Sequence, residues 1–403
     1  MARFSATLIL LLMPLPAAAQ PLPADAWLVE RINSRELGPR TIYVATPPGY
    51  ARTETRYPLL IALDANDLPQ FRLWIAQAAY LAANSPGLPP MIIVGIVNGS
   101  DRIYDMTPTP TGSSAKDFKT AGGATAFAQF LVSEIVPHVR ANYRALPTTI
   151  LAGHSAGGLF ALDVAARMPN ALQGIIAMSP ALWFNDGALV DTYADLLARA
   201  AAPPRVFLAS GVADEPDVEQ PTKRLADRLE QFNGRSDRST YRPYPDATHS
   251  LSPLAFSDGL RFVFDPVSHR HLAVEKLDPS TSDAASVKAA IEASEREYAA
   301  GAASLRLPER LPERALDRLG NRLLERKKTD LAVGVFERNL RSYPESMTAH
   351  DSLAQALIAK GDNAAALARL RVAADIARRS GATLPAAMQK KLEELQHLQE
   401  FRR

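Results

Sequence analysis

The chain has 403 residues, with 45 Lys+Arg against 43 Asp+Glu, seven His and no Cys. That length exceeds one average domain and supplies a large core. A formal net charge of +2 argues against a nucleic-acid-binding surface or a strongly basic membrane arm. The lack of Cys excludes disulfides, thiolate metal sites, a Cys nucleophile and a lipid-modified Cys anchor.

At the start of the chain, Arg3, the apolar run 6–15 and Ala17-Ala18-Ala19 before Gln20 read as the three parts of a secretory signal, residues 1–19. The run is too short for a membrane span, and Pro14 and Pro16 interrupt it. The expected mature protein is exported, periplasmic or secreted, without stable membrane insertion.

Residues 20–266 read as one α/β domain. Segments 27–33 and 41–46 look like a leading antiparallel pair. Short β-rich runs at 58–63, 91–97, 148–152, 174–178, 206–210 and 240–244 then alternate with helical patterns at 124–143, 157–168, 189–200, 221–232 and 254–264. Near-continuous apolar runs such as Ile92-Ile93-Val94 fit strands buried on both faces, so a mostly parallel sheet is expected. Residues 99–123 are loop-like and long enough to suggest a functional or mobile segment.

Beyond Pro266 the strands stop. Residues 267–312 form a polar helical connector. Laying 313–346 over 347–380 then gives a 34-residue period, with Leu319 over Leu353, Leu323 over Leu357, Ala332 over Ala366 and Phe336 over Leu370. Those offsets resemble the tetratricopeptide helix–turn–helix repeat. A helix at 385–401 caps it, so 313–403 is an all-α, tetratricopeptide-like region. It is the candidate surface for a protein partner, although its apolar stripe (Leu316, Leu319, Leu323, Phe336, Leu340) reads first as core.

Chemistry concentrates at Gly153-His154-Ser155-Ala156-Gly157, a G-x-S-x-G between an apolar strand and a helix. A sharp strand-to-helix turn exposes the Ser155 hydroxyl above the sheet. The helix starting at Ala156 offers unsatisfied N–H groups to a developing oxyanion. A nucleophilic serine needs a base, and after an elbow of this kind the chain order is Ser, acid, His. His249 lies in the loop between the last strand and last helix of the α/β region, where a base belongs. The acid is sought after strand 206–210, where Asp214 and Glu215 are the candidates and Asp217 is more distant. The loop after the strand ending at Leu63 supplies the second oxyanion donor, the N–H of Ala65 or Asn66. Trp183 either walls the pocket or packs in the core. His154, adjacent to the nucleophile, is expected to point away from the site.

These residues resemble the putative-esterase branch of the α/β hydrolases, which includes enterochelin (siderophore) esterases, S-formylglutathione hydrolases, feruloyl esterases and mycolyltransferases. The resemblance spans roughly 41–264. Asp101-Arg102-Ile103-Tyr104-Asp105-Met106-Thr107-Pro108 looks like the R-x-x-D-x-T-P segment of the siderophore-esterase-like members. Gly122-Gly123-Ala124 through Phe127, Glu134-Ile135-Val136-Pro137 and Tyr143-Arg144 resembles a second shared stretch, and Asp258-Gly259-Leu260 a third. Ala65 departs from the Gly found there in many relatives. The resemblance implies an α/β-hydrolase fold and a serine carboxylic-ester hydrolase acting on a small-molecule ester, with no metal or organic cofactor. Together with the length of loop 99–123, it makes Arg102 a candidate substrate contact over the pocket. An acyltransferase of the same fold is the first rival; a repeat-mediated interaction protein with a vestigial hydrolase domain is the second.

Overall fold

The computed structural model describes residues 27–50, 55–85, 87–231, 237–268 and 272–400; the expected signal segment lies outside them. Among the described residues, eight strands form a single sheet in the order β1-β2-β4-β3-β5-β6-β7-β8. They are β1 (Leu28–Ser34), β2 (Gly38–Ala45), β3 (Tyr57–Ala62), β4 (Ile92–Ile96), β5 (Ala145–His154), β6 (Gly174–Met178), β7 (Arg205–Gly211) and β8 (Ser239–Tyr244). β1 and β2 pair antiparallel with Leu28 opposite Val44, β2 runs antiparallel to β4, and all other pairings are parallel. This is an α/β-hydrolase-like fold.

Alternation along each buried strand feeds two cores. Leu59, Ile61, Val94 and Leu151 face one side, where helices Ala156–Arg167, Leu189–Arg199 and Pro216–Gln231 pack. Leu60, Ala62, Ile93, Ile150 and Ala152 face the other, beneath helices Leu68–Asn84 and Ser252–Val263. The first of those two helices was not anticipated, although its signals are present. Asp67 accepts the Gln70 N–H as an N-cap, Pro69 sits in the first turn, and Phe71, Trp74, Ile75, Ala78 and Leu81 are buried at helical spacing.

Three other expectations change. The pattern over 124–143 is helical throughout but broken by a π-turn at Leu131–Ile135, just before Pro137, which has no N–H to return to the preceding turn. The helix expected from Pro221 begins at Pro216, leaving Pro221 inside it. Segment 99–123 is structured rather than a plain loop: helices Arg102–Met106 and Ser114–Asp117 lie within it, and the Arg40–Asp105 ion pair (2.7 Å) pins its start in the interior.

The C-terminal helices continue the second core instead of standing apart. Leu316, Leu319, Leu323 and Phe336 are buried in the same cluster as Ile150, Ile176, Phe207 and Leu260, with Leu340 packed against it. Helices Glu313–Glu325 and Thr329–Ser342 are followed, one period later, by Met347–Lys360 and Asn363–Arg379, with Ala386–Glu400 closing the array. Polar ties secure the junction. Thr148 Oγ donates to the Leu305 carbonyl at 2.7 Å, and Arg314 donates to the carbonyls of Ala82 and Ala83 at the end of Leu68–Asn84. No helix among the described residues is long and apolar enough to cross a membrane.

Candidate active site

β5 ends at His154 and the next helix begins at Ala156, leaving Ser155 alone to turn the chain. It does so at φ 59°, ψ −121°, a conformation costly for any residue with a Cβ. The turn closes only because Gly153 lacks a side chain: a Cβ there would lie 2.2 Å from the Gly157 carbonyl oxygen. The strain is held by the strand alongside. Ser155 N–H donates to the Met178 carbonyl at 2.9 Å, and the Ser155 carbonyl accepts from Ala181 N–H at 3.1 Å. The Ser155 side chain therefore stands at the head of a helix, above the carboxyl ends of the strands.

Asp214 and His249 meet at the same end of the sheet. β7 delivers the acid loop and β8 the base loop, and these approach closely at Gly211, where a Cβ would come within 2.1 Å of the Ala247 carbonyl oxygen. His249 Nδ1 lies 3.2 Å from both carboxylate oxygens of Asp214. The Asp214 side chain is 1% exposed and that of His249 is 42% exposed, so the carboxylate is dry and the imidazole opens to solvent. Two further donors hold the carboxylate: the Ser179 hydroxyl on Oδ2 at 2.7 Å and the Glu215 N–H on Oδ1 at 2.9 Å. Glu215 itself is exposed, and it is its backbone that serves Asp214. Of the two acids left open by the sequence, the structure brings only Asp214 onto the imidazole. Asp217 lies exposed in the first turn of Pro216–Gln231.

The Ala65 N–H donates to the Ile96 carbonyl at 2.9 Å, so it does not face a reacting oxygen. Asn66, the next residue, is exposed. Ala156 occupies the first helical position, where backbone N–H groups have no intrahelical acceptor. Arg102 is committed elsewhere than expected. Its Nε and Nη2 clasp the Asp64 carboxylate at 2.5 and 2.8 Å, and Nη2 also reaches the His154 carbonyl at 3.2 Å. Asn98 adds a third donor to Asp64, at 2.7 Å. Arg102 thus ties the loop after β3 to the elbow.

Trp183 is half-buried, its ring 5.6 Å from that of Phe118. It packs against one of the two cores. The turn beyond it holds segment 99–123 in place: Asn185 and Asp186, both left-handed, bond Thr109, Thr111, Ser113 and Ser114. Two residues escaped the sequence reading. Ser179, in a Ser-Pro after an apolar strand, reads as an ordinary turn. His154 was expected to point away, yet its Nε2 lies 2.7 Å from the His249 carbonyl oxygen. Among the described residues no group of three or more acidic or imidazole side chains has the arrangement of a metal site.

The profile of a family described as "Putative esterase" matches residues 34–253, more than half of the chain. The chain belongs to that family. It is 27% identical to the ferri-bacillibactin esterase BesA of Bacillus subtilis over 242 residues, covering 55% of this chain and 82% of that protein. It is also 27% identical to the siderophore enterobactin esterase of Emericella nidulans over 200 residues, 40% of this chain and 65% of that one. An IroE-like serine hydrolase from Shewanella oneidensis superposes with a TM-score of 0.62 at 23% identity, over 77% of this chain and 98% of that structure, and so shares the fold. The protein is a carboxylic ester hydrolase.

Proposed function

We propose that the protein is an exported serine esterase that cleaves a siderophore-type ester through Ser155, His249 and Asp214. The observation that carries the reading is an imidazole bonded to a buried carboxylate at the same end of the sheet as Ser155, which sits at the strained head of a helix. His249 Nε2 takes the Ser155 proton as Oγ attacks the ester carbonyl, and the same proton then passes to the departing alkoxide. The acyl-enzyme is cleared by water, which His249 deprotonates, giving the carboxylic acid and free Ser155. Asp214 keeps the proton on Nδ1 and stabilises the imidazolium. The N–H groups of Ala156 and Asn66 receive the oxyanion, and Trp183 walls the pocket. Residues 1–19 support export.

The substrate class rests on the relatives, which are named as esterases of ferri-bacillibactin and enterobactin. The test is a panel of ferri-bacillibactin, enterobactin, a feruloyl ester and a short chromogenic ester, with and without Ser155→Ala. The siderophore esters should give the highest kcat/KM, and Ser155→Ala should lower kcat by about 10⁴-fold or more with the fold intact. Near-native turnover by Ser155→Ala rejects the mechanism; a strong preference for feruloyl or simple esters rejects the substrate class alone.

A further inference from the structure

The base loop carries His249 at the edge of the sheet, with Asp246, Thr248 and Ser250 exposed around it. A loop of that kind does not place an imidazole to within a few tenths of an ångström unless something fixes its backbone. The acid fixes the ring, and its loop holds the backbone only two residues earlier, where the Ala213 N–H donates to the Ala247 carbonyl at 3.1 Å. The backbone is met from the other side by His154, whose Nε2 lies 2.7 Å from the His249 carbonyl oxygen. A carbonyl accepts, so Nε2 of His154 bears the proton and Nδ1 is bare. The two rings stand 4.7 Å apart, tilted by 53°. The His154 carbonyl in turn accepts from Arg102, which is locked on Asp64. Residue 154 therefore joins three parts of the site: the elbow that bears Ser155, the loop after β3, and the base loop.

We propose that His154 is a positioning residue that sets the location of His249 through its Nε2–H, an inference resting on the reading of Ser155, His249 and Asp214 as the reacting triad. It must act as a neutral donor, because a cation this close to His249 would oppose the imidazolium formed in each half-reaction. The surroundings disfavour its charged form. Burial pushes its imidazole below the ordinary value, and of the charged groups beside it, the Asp64 carboxylate is offset by Arg102. The adjacent His249 further disfavours a second positive charge.

Two substitutions separate this role from simple packing. Gln at 154 carries an amide N–H at the reach of Nε2, whereas Asn carries one only at the reach of Nδ1. On a short chromogenic ester, His154→Asn should lower kcat by about tenfold or more with KM changed by less than about twofold, the scale of one lost hydrogen bond. His154→Gln should stay within about threefold of the native kcat. Labelling of Ser155 by a fluorophosphonate should slow in Asn and not in Gln, since that reaction also needs the base in place. Native kcat in His154→Asn, or equal losses in both variants, would overturn the role. If either variant fails to fold, the labelling rate of His154→Phe, which fills the ring's volume without a donor, decides the same question. An inactive Ser155→Ala beside unaffected His154 variants would reject this inference alone; an active Ser155→Ala would reject the triad beneath it.

Discussion

Replacing Asp214 by Asn exchanges one atom pair and asks directly what orients His249. In the native site Oδ1 accepts the Glu215 N–H, Oδ2 accepts the Ser179 hydroxyl, and His249 Nδ1 is 3.2 Å from each oxygen. An amide must set its NH₂ at one of those two positions. At Oδ1 it would oppose the Glu215 N–H, donor against donor. At Oδ2 it meets the Ser179 hydroxyl, which rotates to accept. The second placement is favoured, and it leaves His249 one neutral oxygen and one N–H facing the same ring nitrogen. The Nδ1–H tautomer loses half its acceptor and all of the negative charge that steadies the imidazolium. Loss of a hydrogen bond to an ionised partner, worth about 1.5–3 kcal/mol, sets the lower bound at about 10–100-fold. A triad forced into the wrong tautomer sets the upper bound at about 10⁴-fold. Steady-state hydrolysis of a chromogenic ester should therefore show kcat/KM for Asp214→Asn reduced by about 10 to 10⁴, with an unchanged circular dichroism melt. Glu215→Gln, altering an exposed side chain, should stay within about twofold. Asp214→Asn within threefold of native, or equal losses in the two variants, would refute the assignment.

Ser179→Ala removes one of the donors on the Asp214 carboxylate and should lower kcat/KM by about tenfold or more, measured on the same ester; no change would mean the hydroxyl does not hold the acid. Phe336→Ala, fully buried in the core shared by the helical tail and the sheet, should cost about 3–5 kcal/mol in denaturant unfolding, with helical signal and esterase activity lost in one transition. Activity that outlasts the helical signal would show that the tail unfolds independently. Burial outweighs the hydrogen bond to the Pro344 carbonyl and leaves His350 below the ordinary imidazole value. The unfolded chain then binds this proton more readily than the folded one, so the contribution of His350 to stability is complete above about pH 6.5 and declines as pH falls through the folded value. His350→Gln should accordingly show a shallower fall in Tm from pH 7 to 5 than the native chain, and an identical slope would refute this.

The alternation of apolar strands with helical patterns, and a G-x-S-x-G lodged between a strand and a helix, made the sheet and the position of Ser155 legible from local sequence alone. Both depend on periodicity and on the sterics of one turn, which neighbours in the chain specify. The place of His249 was legible for a topological reason: in a parallel sheet every loop after a strand reaches the same edge, so chain order brings the loop holding His249 to the end occupied by Ser155. The same rule narrows the carboxylate that meets His249 to one loop and stops there. Asp214 and Glu215 are adjacent and both ionisable. The choice between them is made by burial, by Ser179 arriving from β6, and by the close approach at Gly211, all contacts between segments far apart in the chain.

Other features were decided only by tertiary packing. Ala65 N–H is directed to Ile96 by the pairing of its loop with the end of β4, and composition carries no trace of that. Arg102 turned to Asp64 because a buried carboxylate close to the elbow needs compensating donors, and this reach is visible only once both loops are placed. The helical tail showed its 34-residue period in the sequence, since each unit repeats its own small and apolar positions. Its merging with one face of the sheet was not encoded in any single unit: an amphipathic stripe states that something must cover it, and only the assembled fold states what does.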